Sequence, residues 1–542
     1  MDKRTILAIV LSLILVMGYQ YFFLKTPSPE QGQLTSVQEI SNVDAKKEVR
    51  EDKTITAEPL SPEKSIVKKA DIGTVGKDIK VITPLYTAIF NTKGAALKSF
   101  KLNNYNVSLK NDSGLVELVT VKNDMDYPLS LSFSKSSINI ASNLLYETDQ
   151  TTVDLTKLIN EKKLIFTRSF QEEVTIEKIF TFYPDKYTFD LEVRVVNLSK
   201  EILKQSALLS WNQYVDPEVK TGRYSHEGPI SYIKDEVETE KVKKLGSPKI
   251  LGPDISWAGY ESKYFIASTI PQQPSLTNLV ISKDSQNIVS VSLEGPKNII
   301  LPGQSGTFQY ALYLGPKDYD ILKGEGVGLE NSISFGSWLK WLALPLLTAL
   351  KFVNNYVHNY GIAILILTIL VKVIFWPLGN MSYRSMNQMK KLQPKIEVIR
   401  EKHKGDKAKV NQETMALYKT YKVNPMSGCL PMLIQLPVFL GLYKALLYSI
   451  ELRHSPFIFW IQDLSAKDPY YITPLIMGAT MFLQQKMSPQ PGGDQMQAKM
   501  MMWMPVIFTF MFLNFPSGLV IYWLFNNVIS IGQQYYQNKQ MP

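Results

Sequence analysis

A 542-residue chain with one cysteine, Cys429, can form no intramolecular disulfide and no zinc cluster. Its four histidines, His226, His358, His403 and His454, are scattered, so no paired-histidine metal motif exists. The sequence has no Walker loop, no G-x-S-x-G and no H-E-x-x-H. Gly324-Glu325-Gly326-Val327-Gly328 lacks the final spacing of a dinucleotide loop and reads as a linker. These absences argue against a conventional enzyme; no cofactor, no metal and no small-molecule substrate are expected.

Charge is unevenly spread. Residues 336–542 carry 20 Lys/Arg and 8 Asp/Glu, a net of +12, against a whole-chain net of +10. The N-terminal part is therefore close to neutral. Methionine is skewed the same way: 16 of 19 lie after residue 376.

Asp2-Lys3-Arg4 precedes an apolar run, Thr5 to Leu24, that ends in Tyr19, Tyr21, Phe22 and Phe23. Twenty helical residues at ~1.5 Å each match the ~30 Å hydrocarbon core. With no A-x-A site after it, the run reads as an uncleaved anchor rather than a signal peptide. Lys3 and Arg4 put its start in the cytoplasm. Residues 25–75 are polar, poor in aromatics and without period, the composition of a disordered tether.

Residues 76–330 change character. Short β-branched or alternating runs recur, among them Ile79–Ile82, Thr87–Asn91, Leu115–Val121, Leu164–Ser169, Val174–Tyr183, Tyr187–Val196, Ile288–Leu293 and Gly306–Leu314. Their period of two predicts strands with one buried face, and their number predicts a large antiparallel sandwich outside the cytoplasm.

Phe335–Pro377 is mostly apolar, yet as one helix it would be about 64 Å long, twice a bilayer core. The polar cluster 354–359 splits it. Residues 335–356, with Trp338, Trp341, Lys340 and Lys351, read as an interfacial amphipathic helix. Residues 357–377 then cross inward, with Pro377 expected to end the span. Residues 378–424 hold 11 basic against 4 acidic residues, with apolar residues at helical spacing, and predict a cytoplasmic helical hairpin broken at Gly405-Asp406. Residues 425–542 supply four further spans joined by short loops. The whole reads as an α+β membrane protein with six transmembrane helices, both termini cytoplasmic.

Lys372 lies inside the apolar run of the second span, where a charge costs ~2.5–3.5 kcal/mol on insertion scales. One reading is snorkelling, since Pro377 is about 8 Å of rise away. The other is a polar hollow shared with Thr368, Gln435, Gln484, Gln485, Asn526 and Asn527. Acidic residues after 336 fall in predicted loops, which leaves a proton relay or sodium site without support and favours an anionic guest. The methionines of the last spans, Met504 among them, are either lipid-facing filling or an adaptable apolar lining. The basic hairpin, with Lys390, Lys391, Lys395, Arg400 and Lys402, suits anionic headgroups or an RNA surface.

Several runs carry a family resemblance: Leu392-Gln393-Pro394-Lys395-Ile396, Met415-Ala416-Leu417-Tyr418-Lys419, Val423-Asn424-Pro425, Gly428-Cys429-Leu430-Pro431, Gln435-Leu436-Pro437, Trp460 to Tyr471, and Phe515-Pro516-Ser517-Gly518-Leu519. Over about 340–535 the chain resembles the YidC-type insertases of Gram-negative bacteria. The resemblance implies a membrane protein insertase and chaperone of the inner membrane that acts on nascent membrane proteins and assists some lipoproteins. It implies work alone or with the Sec translocon and its SecD and SecF subunits, and docking to the ribosome. It also implies a periplasmic β-supersandwich and a five-helix core, beside the N-terminal anchor, around a hydrophilic groove with one positive charge. That charge is usually arginine; Lys372 occupies the matching position. Thr368 matches a groove-side threonine, and Tyr522 and Trp523 match a substrate-contacting aromatic pair, the second usually tyrosine. Two other classes make different demands on the sequence. A secondary transporter predicts paired repeats and an intramembrane carboxylate, and neither is found. A membrane-anchored periplasmic binding protein would place its function in the sandwich.

Overall fold

The alternating strands come first. The structure, a computed structural model, describes residues 76–540 apart from 111, 123–124, 135, 138–139, 158, 171–172, 219–225, 337, 422, 424–429 and 488–494. The expected anchor (1–24) and tether (25–75) lie outside the described residues.

An eight-stranded sheet runs, neighbour to neighbour, Glu236–Thr239, Gly228–Ile233, Ile255–Glu261, Phe265–Pro271, Ser305–Pro316, Thr188–Asn197, Val174–Phe182 and Lys162–Phe170. Val174–Phe182 alternates buried and half-buried along its length, as its sequence alternation requires. A five-stranded sheet includes Asp78–Ile82, Tyr86–Asn91 and Ala96–Asn106, and a six-stranded sheet is built on Leu203–Tyr214. One apolar core joins all three. Phe90 of the five-stranded sheet lies 4.7 Å from Phe180 and 5.6 Å from Phe182 of the eight-stranded one, ring centre to ring centre. No disulfide is available, so such burial, worth about 25 cal/mol per Å² of apolar surface, stabilises the domain.

Lys178 interrupts this core. It is fully buried on Val174–Phe182, and its Nζ donates to the carbonyls of Gly94 at 3.0 Å and Leu129 at 2.7 Å. Burial without a carboxylate partner pulls its ammonium down to about 7.

The helices follow: α1 (Tyr319–Gly324), α2 (Lys340–Val357), α3 (Tyr360–Ile374), α4 (Trp376–Lys402), α5 (Lys407–Thr420), α6 (Leu430–Tyr448), α7 (Ile472–Met487), α8 (Gln495–Phe512) and α9 (Ser517–Gln540). The polar cluster at 354–359 breaks the chain by capping. His358 ends α2 in the left-handed region at φ 51°, and the Asn359 side chain accepts from Ile362 N at 3.0 Å to start α3. Pro377 does not end α3 as expected. The chain turns at Phe375, and Pro377 sits in the first turn of α4, where its missing N–H costs nothing. α3 and α4 meet at 65° and together form a bent pair long and apolar enough to cross a membrane. Among the described residues no single helix meets that test alone.

The β core continues into the bundle through Phe335, Ala343 and Leu347 on one side and Ala445 and Ile450 on the other. A charged knot reinforces this joint. Lys351 of α2 pairs with Asp318 at 3.4 Å, Asp320 at 2.6 Å and Glu451 at 2.8 Å. Burial alone would lower the Lys351 ammonium; Glu451, Asp320 and Asp318 outweigh it and raise it. Arg453 donates to the carbonyls of Asn106 and Val107. Trp341, Phe352 and Tyr356 leave α2 on its exposed side, and Trp338, just before the helix, is exposed as well.

α4 and α5 form a hairpin closed by Leu392, Ile396, Tyr418 and Val423. Asp406 caps α5 by accepting from Lys409 N at 3.0 Å.

Candidate functional site

α9 organises the bundle, and its two halves differ. Its first turns bury apolar side chains: Leu519, Val520 and Ile521 are at most 1% exposed. They pack with Leu452, Ile461, Leu464 and Phe515 of the segments that roof this end. The roof is hydrogen-bonded to the helix start. Ser517 N donates to Ala466 O at 2.7 Å, Gly518 N to Leu464 O at 2.9 Å, and Ser517 Oγ to Asp463 O at 2.8 Å. Asp468, buried in the roof, accepts from Thr473 N and Oγ1 at 2.7 Å each, and from Tyr470 N and Trp460 Nε1 at 3.0 Å. Burial would raise its carboxyl, but these donors hold it below the usual carboxylate range. Gly361 is required here: a Cβ would fall 2.0 Å from the Phe457 ring.

Further along α9 the buried residues are polar: Asn527, Ser530, Gln533, Gln534 and Gln537 are each at most 5% exposed. Their spacing of three and four residues keeps them on one side of the helix. Each neighbouring helix offers a partner. Gln435 of α6 donates from Nε2 to Tyr522 OH at 2.6 Å, and Asn527 Nδ2 donates to Thr480 Oγ1 of α7 at 3.3 Å. Lys372 of α3 donates from Nζ to Ser530 Oγ at 2.7 Å. Gln533 Nε2 donates to Asn380 Oδ1 at 2.9 Å and Trp376 O at 3.3 Å on α4. Asn526 Oδ1 and Gln537 Oε1 are buried acceptors with no protein partner. A buried polar row of this kind costs ~1–3 kcal/mol per unsatisfied group unless water completes it.

The expected residues fall in different places. Lys372, Gln435 and Tyr522 enter the seam. Trp523 flanks it, its ring 4.5 Å from that of Phe439. Thr368 is buried, but its hydroxyl donates to Ile364 O of its own helix at 2.7 Å. Met504 is 37% exposed on α8, at the bundle's surface. Lys390, Lys391 and Lys402 are exposed along α4, Arg400 is half-buried, and Lys395 bonds Tyr421 OH of the hairpin. Sequence reading missed Thr480, Ser530, Gln533, Gln534 and Gln537. The signal was available as polar residues recurring every three or four positions beyond an apolar helical start.

The described residues fold as a β-rich domain fused to a helical bundle that carries a cation in a polar seam, and one bent helix pair of that bundle is long and apolar enough to cross a membrane. A family model described as "60Kd inner membrane protein" matches residues 352–542, and one described as "YidC periplasmic domain" matches 78–349. The membrane protein insertase YidC of Syntrophus aciditrophicus is 59% identical over 100% of both chains. That of Geotalea daltonii is 42% identical, again over 100% of both. A solved structure, the active YidC insertase with its first transmembrane domain resolved, is similar at 21% identity with a TM-score of 0.38, covering 88% of this chain and 95% of that one. The chain belongs to the YidC family of membrane protein insertases, inner membrane proteins with a periplasmic domain.

Proposed function

We propose that this chain inserts nascent membrane proteins without covalent chemistry, by receiving a polar tail in the seam along the inner half of α9. A segment enters from the cytoplasmic side. Its short acidic tail is drawn to the ammonium of Lys372, and its apolar part slides past Phe439, Met504, Tyr522 and Trp523 into lipid. Gln435, and Thr368 more remotely, contribute polarity around that path. Burying a polar tail in hydrocarbon is costly unless its groups find partners, and a wet seam lowers that cost.

One observation carries the reading: the Lys372 ammonium donates to the Ser530 hydroxyl inside the bundle, and among the described residues no carboxylate pairs with it. A positive charge so placed attracts an anionic guest. The reading extends to six spans with cytoplasmic termini, and to cooperation with the Sec translocon and its SecD and SecF subunits. It also extends to lipoprotein clients, and to docking of the ribosome or anionic headgroups on Lys390, Lys391, Lys395, Arg400 and Lys402. The test compares Lys372→Ala and Lys372→Glu with wild type on a single-span substrate carrying two aspartates in its translocated tail. Insertion should fall in Lys372→Ala and further in Lys372→Glu; equal insertion by all three would remove the electrostatic role.

A further inference from the structure

The break between α3 and α4 is held from α9 on both sides. Before it, Lys372 Nζ donates to Ser530 Oγ at 2.7 Å; after it, Gln533 donates to Trp376 O and Asn380 Oδ1. The Ser530 hydroxyl spends its own proton on Asn526 O, one turn back, at 2.8 Å. Its lone pairs are thereby turned toward the lysine. Tyr383 OH reaches Ser530 O at 3.4 Å from α4. Ser530 is 4% exposed, so this acceptor is fixed within the bundle.

Register explains why these two groups meet. Lys372 lies twelve residues past Tyr360, the first residue of α3, and Ser530 thirteen past Ser517, the first residue of α9. At ~1.5 Å per residue both sit about 20 Å below the roof. From that depth a free lysine would follow its flexible stem to the nearby headgroup level. A hydroxyl accepting from the ammonium opposes that drift. The pairing also suits lysine over arginine: one hydroxyl satisfies a point donor and leaves most of a guanidinium fork unpaired.

We infer that Ser530 is a positioning residue that sets the depth of the groove cation and thereby the preference for acidic tails. The inference rests on the insertase reading above. An incoming carboxylate replaces the hydroxyl as the acceptor, and Ser530 takes the ammonium back after release.

The experiment uses full-length protein in proteoliposomes and two single-span substrates that differ only in two aspartates or two asparagines in the translocated tail. The quantity read is the ratio of acidic-tail to neutral-tail insertion by protease protection. Ser530→Ala and Ser530→Val should lower this ratio roughly three- to tenfold, the range expected from one charge-assisted hydrogen bond, while Ser530→Thr, isosteric with valine, keeps it. Lys372→Ala should lower it as far, and Ser530→Ala added to it should lower it no further. A wild-type ratio in both Ser530→Ala and Ser530→Val beside a lowered one in Lys372→Ala overturns the role of Ser530 and leaves the groove reading standing. An unchanged ratio in Lys372→Ala overturns the groove reading itself. A ratio lowered equally by threonine and valine shows that shape, not the hydroxyl, matters, and also overturns the inference.

Discussion

The first and second halves of α9 both bury side chains against the bundle, and the buried sets are chemically opposite. Leu519, Val520 and Ile521 close the bundle beneath a roof stitched to Ser517 and Gly518, whereas Asn527, Ser530 and Gln533 face polar partners on α7, α3 and α4, with Gln534 and Gln537 buried beside them. Burial therefore says little about a membrane helix; what is buried, and against what, says more. On the insertase reading proposed above, the apolar half is the seal, because no polar group there invites water. The polar half is then the part that receives water or polar peptide, because polar groups there can partner it. On that reading one helix supplies both the stopper and the path.

The largest predicted effect comes from erasing the difference. Ser530→Leu with Gln533→Leu makes the inner half resemble the outer. Insertion of an acidic-tail substrate should fall about tenfold or more in a protease-protection assay, an energetic change of about 1.4 kcal/mol or above. Thermal stability in nanodiscs should fall as well, because Lys372 Nζ, Trp376 O and Asn380 Oδ1 lose their partners. Next is the converse. Val520→Asn buries an unpaired amide in the seal and should cost ~1–3 kcal/mol of stability, read as a lowered midpoint of thermal unfolding. Third is the roof. Asp468→Asn removes the charged acceptor at the centre of four hydrogen bonds and should speed amide exchange of residues 453–471 by about tenfold. In the wild type, protection of those residues should hold as pH falls from 7 to 5. It should fade only below the ordinary carboxylate range, because a depressed folded pKa gives stability that is lost as pH falls through it.

The smallest effect on insertion lies outside the bundle. Lys178 titrates near 7 when folded and near 10.4 when unfolded. Between those values the unfolded chain holds the extra proton, so stability rises with pH by up to about 1.4 kcal/mol per unit, and the slope vanishes below about 7. Lys178→Met should flatten that slope in pH-dependent unfolding of the full chain, while leaving the ratio of acidic-tail to neutral-tail insertion unchanged.

Much of the fold was legible. The period-two runs at Thr188–Val195 and Val174–Tyr183 became strands because alternation dictates one buried face. The cluster 354–359 became a break because Asn caps helices. Pro377 was legible as a disruption but not in kind: proline stops one helix and starts another equally well, and only the turn at Phe375 decides. The lysine of the site was legible because a charge inside an apolar run is costly. Its partner was not, since a serine 158 residues away carries no local cost and becomes notable only when two registers meet. Thr368 shows the limit of spacing: it shares a helix face with Lys372, yet its hydroxyl is satisfied by its own backbone.

The proposed mechanism requires that water reach residue 372 from one side only. In a Cys429→Ser background, Lys372→Cys and Leu370→Cys place a short thiol at backbone depth, the second on the opposite side of α3, where Leu370 is 48% exposed. A membrane-impermeant maleimide should label position 372 from the cytoplasmic side and not from the periplasmic side, and should leave position 370 unlabelled. Position 372 as unreactive as 370, or labelled equally from both sides, would contradict a sealed outer half over a hydrated inner one.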